Sequence, residues 1–323
     1  MALYLVTGGA GFIGSHLVRA LVERGERVCV VDDLSSGRME NLARLRVGEP
    51  GSDAPVELHR GDVQDASLVR SAARGARGIF HEAAQVSVPA SIRDPVASYR
   101  INVMGTLNVL EAARAEGVRK LVFAASSAAY GDDPTLPKVE SMSPRPLSPY
   151  ASGKLAGEAL LAVWGRSYGL ETVALRYFNV YGPGQADDSP YSGVIALFAH
   201  AVLARRAPTI FGDGAQSRDF VFVGDVVRAN LLAMERSLEM GTVVNVGTGR
   251  SVTINELYTR LARLAGFAED ARRAPARAGD VPHSLASIER ARELLGFEPR
   301  IELDEGLEQT LAWYRAREAT RSR

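Results

Sequence analysis

Apolar positions along the chain follow two alternating periodicities. Short unbroken runs at 3–6, 27–31, 56–59, 78–81, 121–125 and 172–175 are bounded by turn-forming residues and read as buried strands. Between them lie segments in which apolar residues recur every three or four positions. One runs from Phe12 through Leu17, Ala20 and Leu21, and another spans 66–73. A third, from Pro95 to Glu116, carries Val96, Tyr99, Val103, Leu107, Leu110 and Ala113, and a fourth opens at Pro149 and runs through Tyr168. Strands alternating with helices predict an α/β fold built on a doubly wound parallel sheet. Beyond Arg176 the alternation loosens, and Asn179 to Gly184 reads as loop chemistry. Helices are expected near 194–205, 224–235, 253–265, 288–295 and 305–315, with short strands near 209–211, 220–223 and 243–246. The expected division is a first domain at 1–178 and a smaller lobe at 179–323; residues about 220–248 have the pattern to return to the first, so the boundary need not be one cut.

The first run breaks at Thr7-Gly8-Gly9-Ala10-Gly11 and resumes as a helix with Phe12, Ile13 and Gly14. In this context Gly8 serves a tight turn, Gly11 lets the backbone approach a pyrophosphate, and Gly14 allows close helix–strand packing. The helix N-terminus offers free N–H groups to phosphates. The second strand ends in Asp32, 18 residues past Gly14, where a carboxylate would grip an adenine-ribose 2′-OH and repel a 2′-phosphate. NAD is therefore expected rather than NADP.

Composition narrows the partners. Lys+Arg and Asp+Glu both number 38, and the basic residues are scattered, which argues against a nucleic-acid-binding surface. The single cysteine, Cys29, excludes a disulfide framework, and the five histidines show no ligand-like spacing, so no metal is expected. No apolar run is long enough to span a membrane, and a cytoplasmic location is expected.

Tyr150 and Lys154 stand four apart, on one face of the helix that starts at Pro149. An ammonium near a phenol stabilises phenolate, lowers the phenol pKa and makes a general base. Ser126 stands just past an apolar strand, where a parallel sheet delivers side chains to its cleft. Its hydroxyl could bridge substrate and tyrosine oxygens.

Glycine turn, strand-end serine and helical Tyr-x-x-x-Lys, in that order, resemble the extended short-chain dehydrogenase/reductases, and within them NAD-dependent nucleotide-sugar epimerases of the UDP-glucose 4-epimerase type. The likeness spans TGGAGFIG at 7–14, DDLSSG at 32–37, HEAAQVSV at 81–88, YASGK at 150–154, RYFNVYGPGQ at 176–185, GDGAQSRDFVFVGDVV at 212–227 and RAGD at 277–280. It implies a Rossmann domain holding NAD and a smaller C-terminal α/β substrate lobe. Tyr150 would take the proton of a UDP-sugar 4-OH while hydride moves between C4 and NAD, without net oxidation. Carried over residue by residue, the likeness puts Asp32, Ser36 and Gly37 at the adenine ribose, and Asp62 and Val63 beside the adenine. Ala83, Ala84 and Asn102 would line the cofactor cleft, with Tyr177 near the nicotinamide. Asn179, Val194, Phe211 and Asp280 would meet the sugar nucleotide, and Arg218 and Arg277 would clamp its diphosphate in guanidinium forks. A homodimer through the helices near 95–116 and 150–168 is also implied.

Departures from the likeness restrict the chemistry. Eliminating relatives place Asp-Glu, and decarboxylating relatives Glu, just after the strand-end hydroxyl residue; here those positions are Ser127 and Ala128. The position that is bulky in relatives confined to non-acetylated hexoses, seven beyond the clamp arginine, is Ser284. Room for a 2-acetamido group follows, so UDP-GlcNAc and UDP-GalNAc are expected alongside UDP-Glc and UDP-Gal. UDP-glucuronate is the alternative substrate, and a non-catalytic NAD sensor the alternative role.

Overall fold

The computed structural model describes residues 1–186, 193–276 and 281–321. Its strands, in chain order, are β1 (Leu3–Thr7), β2 (Arg27–Asp32), β3 (Val47–Gly48), β4 (Val56–Arg60), β5 (Gly78–His81), β6 (Lys120–Ser126), β7 (Glu171–Tyr177), β8 (Asn179–Tyr181), β9 (Thr209–Phe211), β10 (Ser217–Arg218), β11 (Phe220–Phe222), β12 (Thr242–Val246), β13 (Val252–Thr253) and β14 (Arg272–Ala274). Eight of them form one sheet in the order β12-β7-β6-β5-β1-β2-β4-β3. Every pairing in that sheet is parallel. Chain order reverses beside β1, the switch point at which such sheets open a crevice at their carboxyl ends.

The helices are α1 (Phe12–Glu23), α2 (Ala66–Ala73), α3 (Val88–Arg93), α4 (Pro95–Tyr99), α5 (Gly105–Ala115), α6 (Pro149–Tyr168), α7 (Val194–Leu203), α8 (Val223–Glu235), α9 (Ile254–Ala265), α10 (Glu289–Leu295) and α11 (Leu303–Arg321). A parallel sheet covered on both faces needs strands apolar on both sides, and β1, β2 and β6 are buried almost throughout. One side packs Val6, Val28, Val30, Phe80 and Val122 against α1 and α8; the other packs Leu5, Cys29, Ile79, Leu121 and Phe123 against α2, α5 and α6. A third core, around Phe198, Phe220, Leu257 and Leu311, joins α7, α9 and α11.

Three features differ from the expectations above. The segment expected as one helix from Pro95 is α4, then a π-turn over Arg100–Met104, then α5, preceded by the separate α3. Asn179–Tyr181, expected as loop, is β8, which pairs in parallel with β11, a partner some forty residues on that local pattern does not reveal. The short strands β3, β10, β13 and β14 are not among the strands expected above. β12 pairs with β7 at the sheet's edge and α8 packs on α1, whereas β11 pairs with β8 outside the eight-stranded sheet.

Candidate active site

The site starts at the glycine turn. Gly8 has φ +69°, where side chains are disfavoured, and its N–H donates to Val31 O at 2.7 Å. A Cβ on Gly14 would lie 2.1 Å from Gly8 O, so α1 can approach β1 only with glycine there. α1 begins after Gly11 with no capping side chain and no acid in its first turn, leaving its N–H groups to an anion. Phe12 and Ile13 are half-buried in that turn, and Phe12 packs edge-on against His16, whose Nε2 meets Pro183 O at 2.7 Å.

Asp32 ends β2 with its carboxylate turned back on the glycine turn. One oxygen accepts from Ala10 N–H and the other from Leu34 N–H, both at 2.9 Å, and burial raises its pKa. Each carboxylate oxygen keeps acceptor capacity for a diol. Gly37 is buried against this carboxylate, while Ser36 is exposed. Val63 is buried and Asp62 half-buried, its carboxylate engaged with Gln64. Glycine cradle, uncapped helix and strand-end acid together fit a dinucleotide.

Across the switch point, Ala83 N–H donates to Thr7 Oγ1 at 3.3 Å, and Ala84 follows it, half-buried. Asn102 is buried, and its amide is spent on Gln85: Oδ1 accepts from Gln85 N–H at 2.8 Å and Nδ2 donates to Gln85 O at 3.0 Å. It thus braces the cleft wall. His81 is wedged between two threonines. Thr106 Oγ1 gives its proton to Asn102 O at 2.7 Å, so it accepts from His81 Nε2 at 3.0 Å, and Thr7 Oγ1 then donates to Nδ1 at 2.7 Å. Burial pushes this imidazole down to about 3.

Ser126 closes β6, and its Oγ caps the following turn by accepting from Ala128 N–H at 3.2 Å. Tyr150, in the first turn of α6, shares a hydrogen bond with Ser126 that favours phenolate, against a burial that raises the phenol pKa more. Lys154 is buried. Its ammonium donates to Ala124 O at 2.8 Å and lies 4.8 Å from the centre of the Phe123 ring; burial lowers its pKa to about 8. This corrects the expectation of a phenol pKa lowered by lysine: desolvation is the larger influence on Tyr150, and the ammonium donates to the end of β6.

Sequence reasoning missed Glu82, the residue after His81. Tyr177, buried at the end of β7, donates its O–H to Glu82 Oε1 at 2.9 Å. Burial lifts that carboxyl to about 7, opposed by the Tyr177 hydrogen bond and the Lys154 charge. Its position beside a buried histidine carried no periodic signal.

Asn179, Val194, Phe211 and Arg218 come together on a cavity of about 540 Å³, which Arg206, Gln216 and Arg272 also line. Arg206 and Arg272 carried no motif. Arg218 Nη1 donates to Ser217 O at 2.8 Å and Pro282 O at 3.2 Å, which draws the 282–284 segment onto β10. There Ser284 N–H donates to Ser217 O at 3.0 Å, and His283 Nδ1 meets Ser217 Oγ at 2.9 Å, so the histidine is held at β10. Asp219, fully buried, accepts from Thr248 and Gly249 on one side and Ala286 on the other, fixing the loops around Ser284. Ser284 is half-buried and outside the cavity lining. Arg277 and Asp280 lie outside the described residues. Away from the cleft, Cys29, Glu57 and His59 place ligand-type atoms within 4.8 Å of one another, but Glu57 is engaged by Arg27 and Gly51, and burial pushes the Cys29 thiol up to about 11.

A profile of the NAD-dependent epimerase/dehydratase family matches residues 4–247. The chain belongs to this family. NAD is its cofactor, and the glycine cradle with Asp32 is built to take it. Among similar solved structures, the UDP-glucose 4-epimerase of Thermotoga maritima, with UDP-glucose, is 40% identical with a TM-score of 0.91, over 98% of this chain and 99% of that one. The UDP-glucose 4-epimerase of Thermus thermophilus, complexed with NAD, is 42% identical with a TM-score of 0.86, over 97% and 99%. The UDP-N-acetylglucosamine 4-epimerase of Methanobrevibacter ruminantium, complexed with UDP-N-acetylmuramic acid, is 38% identical with a TM-score of 0.91, over 98% and 99%. Among the described residues no helix is long and apolar enough to cross a membrane.

Proposed function

We propose that this protein is an isomerase that interconverts UDP-hexoses at C4 with NAD. The observation that carries this reading is the Ser126–Tyr150–Lys154 group at the carboxyl ends of the sheet, in a chain that also forms a nucleotide-sized cavity with Asn179 and Arg218 in its wall. In this reading 1–178 holds NAD, with β12 and α8 added to it, and 179–323 holds the sugar nucleotide.

NAD, when bound by the glycine turn, the α1 N-terminus and Asp32, would supply a reversible hydride acceptor for C4. The chain's own residues move the proton. Tyr150 Oη takes the 4-OH proton as C4 becomes a ketone and gives it back on return. Ser126, hydrogen-bonded to Tyr150, orients that oxygen and supports its charge. Lys154 is the cation beside the cleft wall, and its bond to Ala124 fixes how α6 presents the phenol. Asp32 and the α1 N-terminus hold the adenosine and phosphate portion, and Arg218 binds the substrate diphosphate, with Arg206 and Arg272 as further cations of that cavity.

Acetylated UDP-hexoses are included. Ser284 is small, Ser217 holds His283 at β10, and a similar protein bears the name of an acetylated UDP-sugar epimerase. The partner is a second copy of the chain. Val88, Ile92, Val96 and Tyr99 repeat along α3 and α4 with their side chains exposed. Such a patch is the kind a symmetric interface covers. The reaction belongs in the cytoplasm, where Cys29 stays a thiol. Incubating purified protein with UDP-galactose and identifying UDP-glucose by NMR tests the activity; no conversion with NAD supplied would overturn it.

A further inference from the structure

The proton path through Ser126 and Tyr150 leaves Glu82, an ionisable group of the cleft, unused. Glu82 follows the last residue of β5. Its N–H donates to Thr7 O at 3.1 Å, and the next residue packs so closely on the glycine turn that a Cβ on Gly8 would lie 2.8 Å from Ala83 N. The backbone of Glu82 is therefore fixed to the cofactor-binding turn.

Its side chain is fixed too. Asn230 Nδ2 donates to Val226 O at 2.9 Å within α8 and to the Tyr177 oxygen at 2.7 Å. With that oxygen already accepting, the Tyr177 hydrogen goes to Glu82 Oε1 at 2.9 Å. The chain of donors runs one way and ends on a carboxylate used as acceptor. Lys154 is near enough to favour its ionised form, as Glu82 favours the ammonium.

In a doubly wound sheet a dinucleotide crosses the carboxyl ends of the strands at the switch point. With the adenosine end at Asp32 on β2, the other end would lie toward β5, β6 and β7, where Glu82 follows β5 and Ser126 and Tyr177 end β6 and β7. A nicotinamide ring is cationic when oxidised and neutral when reduced, so a fixed carboxylate nearby discriminates between them.

We propose that Glu82 is a positioning residue for the redox half of the reaction: its carboxylate, held by Tyr177 and balanced by Lys154, favours the oxidised cationic ring and so drives hydride back to the sugar. This rests on the NAD-dependent epimerase reading. The exchange is balanced within the site. One hydride, carrying two electrons, leaves C4 as Tyr150 takes the hydroxyl proton, and both return, so no outside oxidant is consumed.

The test is a redox titration of the holoenzyme at about pH 8, where the carboxylate is ionised, following the near-ultraviolet absorbance of the reduced ring. Glu82→Gln keeps an acceptor for Tyr177 and removes the charge. At a given poise its reduced-to-oxidised ratio should rise about tenfold, about 30 mV for a two-electron couple. Glu82→Asp should restore most of the difference. An unchanged ratio in Glu82→Gln, or equal shifts in both variants, would overturn the assignment. If Glu82→Gln does not fold, Tyr177→Phe, which releases the carboxylate, should shift the ratio the same way by a smaller factor, and no shift there counts against it. A wild-type protein with no reducible cofactor would instead overturn the epimerase reading.

Discussion

Lys154 donates its ammonium to the carbonyl oxygen of Ala124 at 2.8 Å, two residues before Ser126 on β6. The bond ties the first turns of α6 to the end of that strand. One turn further on, Gly157 packs against Phe123 so closely that a Cβ would lie 2.5 Å from the ring. Helix and strand are thus locked in one register, which puts Tyr150 beside Ser126.

Removing the base tests the chemistry directly. Tyr150→Phe should lower kcat by about 10²–10⁴-fold while NAD remains bound after purification. Product formation by NMR and cofactor release on denaturation measure the two effects. A protein that lost nothing would be a sensor rather than an enzyme.

Lys154→Met removes both the charge and the anchor to Ala124. Turnover should fall at least about 10²-fold. Melting should also drop, since Ala124 O loses its partner, worth about 1 kcal/mol or more for a charged donor. Unchanged kcat with a lowered Tm would confine Lys154 to a structural role.

Acid should unfold the protein partly through His81. Burial holds this imidazole near 3 against an ordinary 6.5, so the folded chain keeps it neutral. Above the unfolded value neither state is protonated and the group contributes no pH dependence. As pH falls below it, the unfolded chain takes up a proton the folded chain refuses, and stability falls by about 1.4 kcal/mol per pH unit. His81→Gln should be less stable at neutral pH, yet show a slope shallower by about that amount between about pH 6 and 4. Equal slopes in denaturant titrations would show that His81 has no part in acid unfolding.

Bulk at Ser284 should separate substrates. Ser284→Tyr is expected to cut kcat/KM for UDP-N-acetylgalactosamine by about 10-fold or more, while UDP-galactose keeps most of its rate. Equal losses for both sugars would place the discrimination elsewhere.

A charge on the exposed face of α4 should disrupt assembly. Val96, 58% exposed, is the test position: Val96→Glu is expected to give a monomer by sedimentation where the parent chain is a dimer. A parent chain that sediments as a monomer would contradict the dimer outright.

Much of this molecule is readable from its residues because the sheet is local in its signals. Unbroken apolar runs such as 121–125 and the four-residue spacing of Tyr150 and Lys154 depend on neighbours in the chain, and the structure places them as that pattern implies. The direction of the Tyr150 shift was not readable, because desolvation depends on the whole surrounding fold. Glu82 was missed for the same reason, since its partners Tyr177 and Asn230 arrive from β7 and α8. β8 escaped because it is three residues long and paired with a distant strand. Arg206 and Arg272 reach the cavity from segments with no motif, whereas Arg218 stands in one.

The measurement that bears most directly on the proposed chemistry is the fate of a deuterium placed at C4 of UDP-galactose, turned over by purified protein with no NAD added. The predicted product is UDP-glucose with the deuterium retained at C4, because the same hydride leaves and returns within one closed site. Loss of the label to solvent, or a product oxidised or dehydrated rather than inverted at C4, would contradict that chemistry.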